Sequence, residues 1–160
     1  MASPAGFGNR RQRGARWVML SNRRADRRER EKHRRDQLAT AVGELLARVE
    51  KASRQALSMR KIAEKYQQET GQPALHLGKL ADEVAPASDA FEELMTEARV
   101  AQYRVELLEP RLEVPVLQLI AWCLLQARSA VFNEKVELRT FQKAQHAEMQ
   151  ALIEAYRALE

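Results

Sequence analysis

Between Leu38 and Tyr66 a small or apolar residue returns after four, then three, positions without a miss: Leu38, Val42, Leu45, Val49, Ala52, Ala56, Met59, Ala63 and Tyr66. A repeat averaging 3.5 residues sets all nine side chains on one stripe of an α-helix, whereas a strand would need a period of two. Leu46, Leu57 and Ile62 widen that stripe to the breadth a helix needs inside a bundle. From Asn22 to Thr70 there is no proline and one glycine, Gly43, and Gly71 with Pro73 supplies a stop. The pattern predicts a helix over about 21–69, capped by Ser21 or Asn22, with a length of roughly 70 Å at 1.5 Å per residue. A helix of that length with a single apolar stripe implies an elongated bundle.

The rest of the chain offers helices to pack against it. Leu75, Leu77, Leu80 and Val84 suit a short helix over about 74–84, which Pro86 is expected to end. Phe91, Leu94, Ala98, Ala101, Val105 and Leu108 repeat the 3-4 spacing and predict a second segment over about 88–108. After Pro110 and Pro115, residues 116–159 contain neither Gly nor Pro and read as one long helix. Ile120, Cys123, Ala127, Val131, Leu138, Phe141, Leu152, Tyr156 and Leu159 supply its apolar positions. The expected fold is all-α: an antiparallel, coiled-coil-like bundle of two long helices with a broken middle arm. Residues 1–20, with three glycines and no apolar period, read as a disordered basic leader, and 21–160 as one domain with a basic extension over 21–36.

Within the last helix, Val116–Leu125 reads VLQLIAWCLL, apolar around the whole circumference. Such a segment needs cover on most sides. It is either the centre of the intramolecular core or a homo-oligomer face, for which Val116, Leu117, Ile120, Trp122 and Leu124 are the candidates. The run is too short to span a bilayer, and no signal peptide is legible, so a cytoplasmic location is expected, with peripheral membrane association open.

Catalysis or metal binding requires polar groups converging on one point, and the sequence offers few. His33, His76 and His146 have no partners at HExxH, CxxC or ExxH spacing, and no glycine-rich phosphate loop occurs. The single Cys123 lies in the most apolar segment, where a thiol behaves as a small hydrophobe with a raised pKa. No catalytic residue, cofactor, metal or small-molecule substrate is expected.

Charge is distributed unevenly. Residues 1–36 hold 12 Lys/Arg and 4 Asp/Glu, while the remainder is slightly acidic. In SNRRADRREREKHRRDQL, Arg23, Arg24, Arg27, Arg28, Arg30, Arg34 and Arg35 can line a helix face suited to phosphates or anionic headgroups. Asp26 to Arg30 and Glu31 to Arg35 are acid-first pairs four apart, so a solvated, self-paired helix is the competing reading. The stretch RRADRRERE leading into a long helix, Arg104-Val105-x-Leu107-Leu108-x-Pro110, an apolar helix after it, and Phe141 with Arg157-Ala158-Leu159 together resemble a diffuse group of actinobacterial helical-bundle proteins. That resemblance implies a fold and no chemistry. The functional expectation is a non-enzymatic bacterial or phage helical scaffold or interaction protein that self-associates or docks a protein partner. The alternative is an anion-binding adaptor using residues 10–35 on nucleic acid or an anionic membrane surface.

Overall fold

A computed structural model describes the backbone of residues 8–71, 77–131 and 138–159, with side chains over 23–71, 82–130, 140 and 142–159. The chain is all-α: α1 (Gly8–Thr70), α2 (Leu77–Leu108), a 3-10 turn (Pro110–Leu112), α3 (Glu113–Val131) and α4 (Leu138–Arg157). It divides into two compact units, Met1–Gln37 and Leu38–Glu160, so α1 contributes to both.

The second unit is a helical bundle built on the heptad stripe. All nine stripe residues of α1, from Leu38 to Tyr66, are buried, joined by Ala41. Each fully buried Leu or Val contributes about 1.5–3 kcal/mol, so this row is the main stabilising element. Facing it, α2 buries Val84, Ala87, Phe91, Met95, Ala98, Ala101 and Val105. Alanines at 52, 56, 63, 98 and 101 add little apolar area each but let the helix axes approach closely. Three side-chain contacts fix the antiparallel register. Gln55 Nε2 donates to the Ala87 carbonyl at 3.1 Å, Arg48 Nε meets Glu97 Oε2 at 3.2 Å, and Arg104 Nη1 meets Glu44 Oε2 at 3.2 Å.

A 3.7 Å contact between Ser53 Oγ and Cys123 Sγ seats α3 against the middle of α1. Val116, Leu119, Ile120, Cys123, Ala127 and Ala130 enter the same core. From α4, Leu152 is wholly buried, and Met149, Ala155 and Tyr156, with Leu159 just after the helix, pack against the core.

Three element boundaries differ from expectation. Helix α1 begins at Gly8 rather than near residue 21, and its backbone is helical where a disordered leader was expected over 8–20. A capping residue permits a helix start without enforcing one. Nothing between Gly8 and Ser21 breaks a helix except Gly14, at a cost of about 1 kcal/mol. Residues 1–7 of that leader lie outside the described residues.

The middle arm is one helix that passes through Pro86 without ending. Proline removes one N–H and crowds the carbonyl four residues back, here that of Asp82. Both Asp82 and Pro86 are exposed, so water can satisfy that carbonyl, while Val84, Ala87 and Phe91 hold the segment to the core.

The expected long helix 116–159 is two helices, α3 and α4, packed along each other. Residues 132–137, between them, contain neither Gly nor Pro and lie outside the described residues. Burial explains the division into two helices. A straight helix would leave one flank of the apolar 116–125 segment in water, and α4 folded back covers that flank. The expected core residues Leu75, Leu77, Leu80, Val131, Leu138 and Phe141 lie outside the described side chains.

Ends are handled locally. Thr70 Oγ1 donates to the Tyr66 carbonyl, and Gly71 adopts a left-handed φ of 67° while its N–H donates to the Gln67 carbonyl. That is the glycine-terminated end which closes many helices. At the other turn, Pro115 lies in the first turn of α3, where its missing N–H would have had no partner anyway.

Candidate functional site

The first candidate lies on α1 within the Met1–Gln37 unit. Every side chain from Arg23 to Gln37 is exposed, so this stretch carries no apolar stripe and is held by its own pairs. Arg35 Nε lies 3.6 Å from Glu31 Oε1, and Gln37 Nε2 lies 3.1 Å from His33 Nε2. At about 100° per residue the charges sort into two faces. Arg24, Arg27, Arg28, Lys32 and Arg35 line one shallow trough with Glu31, and Arg23 and Arg34 fall at its edge. Asp26, Glu29, Arg30 and His33 line the other side, where Asp36 also projects. The first face therefore holds seven cations and one carboxylate. Arg30, the seventh arginine of the expected set, lies at the border, about 20° from Arg23 and 40° from Asp26, and lines the second trough. Side chains of residues 10–22, also expected to take part, lie outside the described residues.

The second candidate lies in the bundle unit, on the outward sides of α2 and α3. Val100, Tyr103 and Leu107, spaced three and four apart, form one stripe on α2. Val114, Leu117, Leu124 and Leu125 form another on α3. Tyr103 is 66%, Val114 63% and Leu107 85% exposed. The turn Pro110–Leu112 brings Leu107 and Val114 to the same end of the bundle. Farther along, Leu124 shares a groove of about 500 Å³ with Thr96 and Arg99 of α2, floored by Met59, Phe91, Met95 and Ala127.

The expected oligomer face is thus divided. Val116 and Ile120 point into the protein's own core, which corrects their assignment. Trp122 is half-buried, and Leu117 and Leu124 face outward. Val100, Tyr103, Leu107, Val114 and Leu125 are further exposed large apolar side chains on α2 and α3, which sequence reasoning did not single out. A signal for them was present. Val100, Tyr103 and Leu107 form a second 3-4 row on α2, out of phase with the Phe91–Leu108 seam.

Two buried groups serve structure. Glu109 caps the 3-10 turn and accepts from Arg111 Nε at 2.7 Å and Nη2 at 3.0 Å, which holds the guanidinium more firmly in its charged form. Burial pushes the Cys123 thiol up, against a smaller downward pull from its contact with Ser53. Among the described residues no group of three or more His, Cys, Asp or Glu side chains converges. His33 and His146 are exposed, and His76 lies outside the described residues. Among the described residues no helix is long and apolar enough to cross a membrane.

A scan against protein-family models, a search of curated proteins and a search of solved structures each returned no match.

Proposed function

We propose that this chain is a non-enzymatic helical interaction protein that pairs with a second copy of itself through the outward side of α2 and α3. The observation that carries this reading is the size of the apolar surface there. At roughly 150–220 Å² for a fully exposed Val, Leu or Tyr, the seven side chains present on the order of 600–700 Å² of apolar area. It is close to the roughly 800 Å² that a standard-size interface takes from each partner. A two-fold dimer uses the same patch on both copies, so one self-complementary row of Tyr and Leu residues is sufficient. Tyr103 suits the centre of such an interface, because its ring buries large area while its hydroxyl keeps a polar contact.

Size-exclusion chromatography with light scattering on the full chain tests the reading. The wild type should run as a dimer at about 100 μM, in the affinity range expected of a modest interface. Leu107→Glu with Val114→Glu should give a folded monomer, because two charges would be buried at the contact. Gln142→Glu, on the exposed side of α4, should leave the dimer intact. A wild-type monomer, or a dimer that survives the Leu107 and Val114 changes, would refute pairing through this face.

A further inference from the structure

We infer that the cationic face of α1 within residues 23–35 is a docking surface for the backbone of double-stranded DNA, bound without sequence preference. This inference stands on the Met1–Gln37 unit alone and does not depend on pairing through α2 and α3.

The starting observation is segregation rather than total charge. A helix whose charges serve only its own solubility would mix signs around its circumference. Here seven cations and one carboxylate occupy roughly half of it, while Asp26, Glu29 and Asp36 lie opposite, interleaved with Arg30 and His33. All of these side chains are exposed, so the face is open to a partner outside this helix. Six of the seven cations are arginines, whose planar forks pair two phosphate oxygens at once.

Geometry and composition then choose among polyanions. The 13 residues span roughly 20 Å, about six base pairs of duplex, enough to offer on the order of twelve phosphates to seven cations. An α-helix about 10–12 Å across fits a B-form major groove about 12 Å wide. A cationic face half the circumference wide then meets phosphates on both walls, with Lys32 toward one wall and Arg23, Arg27 and Arg34 toward the other. A flat headgroup layer would meet only the middle of that face. A helix lying in a membrane interface also needs an apolar side, and between Arg23 and Gln37 the only apolar residue is Ala25. Single strands are disfavoured because this stretch has no Phe, Tyr or Trp on which bases could stack. Duplex RNA is disfavoured because its deep, narrow major groove does not admit a helix. Glu31 is paired with Arg35, the face carries no Asn or Gln for an adenine edge, and about twelve phosphates are on offer to its seven cations, so binding is to the backbone.

Fluorescence anisotropy with a short random-sequence duplex and the full-length chain tests this, over a salt series from about 50 to 200 mM. Six or so phosphate contacts predict a loss of affinity of roughly a thousandfold across that range. Arg24→Gln, Arg28→Gln and Arg35→Gln combined should make the log–log salt slope shallower by about 2.7, at about 0.9 per contact. A control with the same change in net charge, Lys51→Gln with Lys61→Gln and Lys143→Gln, all exposed and outside this face, should leave the slope close to that of the wild type. Far-UV circular dichroism confirms that both variants keep their helix content. Absence of binding at the lowest salt would overturn the inference, and so would equal weakening by the two triple variants. Equimolar phosphatidylglycerol–phosphatidylcholine vesicles form a parallel arm. Binding to them without binding to duplex would assign the face to a membrane surface and overturn the DNA reading.

Discussion

Replacing Leu152 by alanine isolates what α4 contributes to the bundle. Leu152 is the one described side chain of α4 that is wholly buried, and Met149, Ala155, Tyr156 and Leu159 only partly enter the core around it. The change removes three carbons' worth of burial and leaves a void. Leu→Ala at such sites costs about 2.7–5.0 kcal/mol, and an outer helix able to sag inward falls in the lower half of that range. We therefore expect a loss of about 3 kcal/mol, which for a bundle of this size lowers Tm by roughly 10–15 °C. Urea titration followed by circular dichroism gives the free energy. Trp122 fluorescence in a Trp17→Phe background reports on α3, the helix α4 packs against. A red shift of that fluorescence in the folded baseline would show α4 loosening. Leu107→Ala provides the matched deletion at a position 85% exposed, and at protein concentrations too low for association it should change stability by less than about 0.5 kcal/mol. A Leu152→Ala cost below about 1 kcal/mol, or one equal to that of Leu107→Ala, would refute the packing of α4 described above.

Two glycines in and after α1 should respond in opposite directions to alanine. Gly43 lies mid-helix, exposed, with nothing within 4 Å of an added Cβ, so Gly43→Ala should stabilise by about 0.5–1 kcal/mol. Gly71 also has open space around it but sits at a positive φ, so Gly71→Ala should cost about 1–2 kcal/mol from backbone strain alone. Chemical denaturation of the pair checks both signs. Cys123 links stability to pH. Its folded pKa is raised by burial, so the unfolded chain loses the thiol proton first as pH rises. The stabilisation is complete below the ordinary thiol range near 8.5 and is lost as pH climbs through it toward the folded value. The wild-type urea midpoint should fall between about pH 8 and 10 relative to that of Cys123→Ala, and a disulfide reagent at neutral pH should label the native protein only as fast as it opens. Labelling at the rate of a free thiol would contradict the burial.

Much of the fold was legible because the bundle is periodic at the level a sequence displays. The nine-residue stripe of α1 and the seam of α2 project directly onto buried positions, since a 3.5-residue repeat has one way to face a partner. What was not legible depended on tertiary burial. Pro86 looks like a stop, yet a helix anchored by Val84, Ala87 and Phe91 carries it on an exposed side. Residues 116–159 look like one helix because no breaker residue marks the turn. The reversal is driven by the need to cover VLQLIAWCLL, and no local propensity encodes that need. The candidate surfaces divide the same way. The cations of α1 were plain from composition, but their sorting into faces required the helical angle, which leaves Arg30 at the border between the two. On α3 the segment was visibly over-apolar, while only the positions of α1, α2 and α4 decide that Val116 and Ile120 turn inward and Leu117 and Leu124 outward.

Sedimentation equilibrium of the wild-type chain over a range of concentrations, repeated at low and high salt, tests the central claim most directly. Pairing through an apolar face predicts a concentration-dependent monomer–dimer equilibrium whose constant is unchanged or strengthened by salt, because burial of Tyr103, Leu107 and Val114 involves no ion pair to screen. A single monomeric species at every concentration, or an association that salt abolishes, would contradict it.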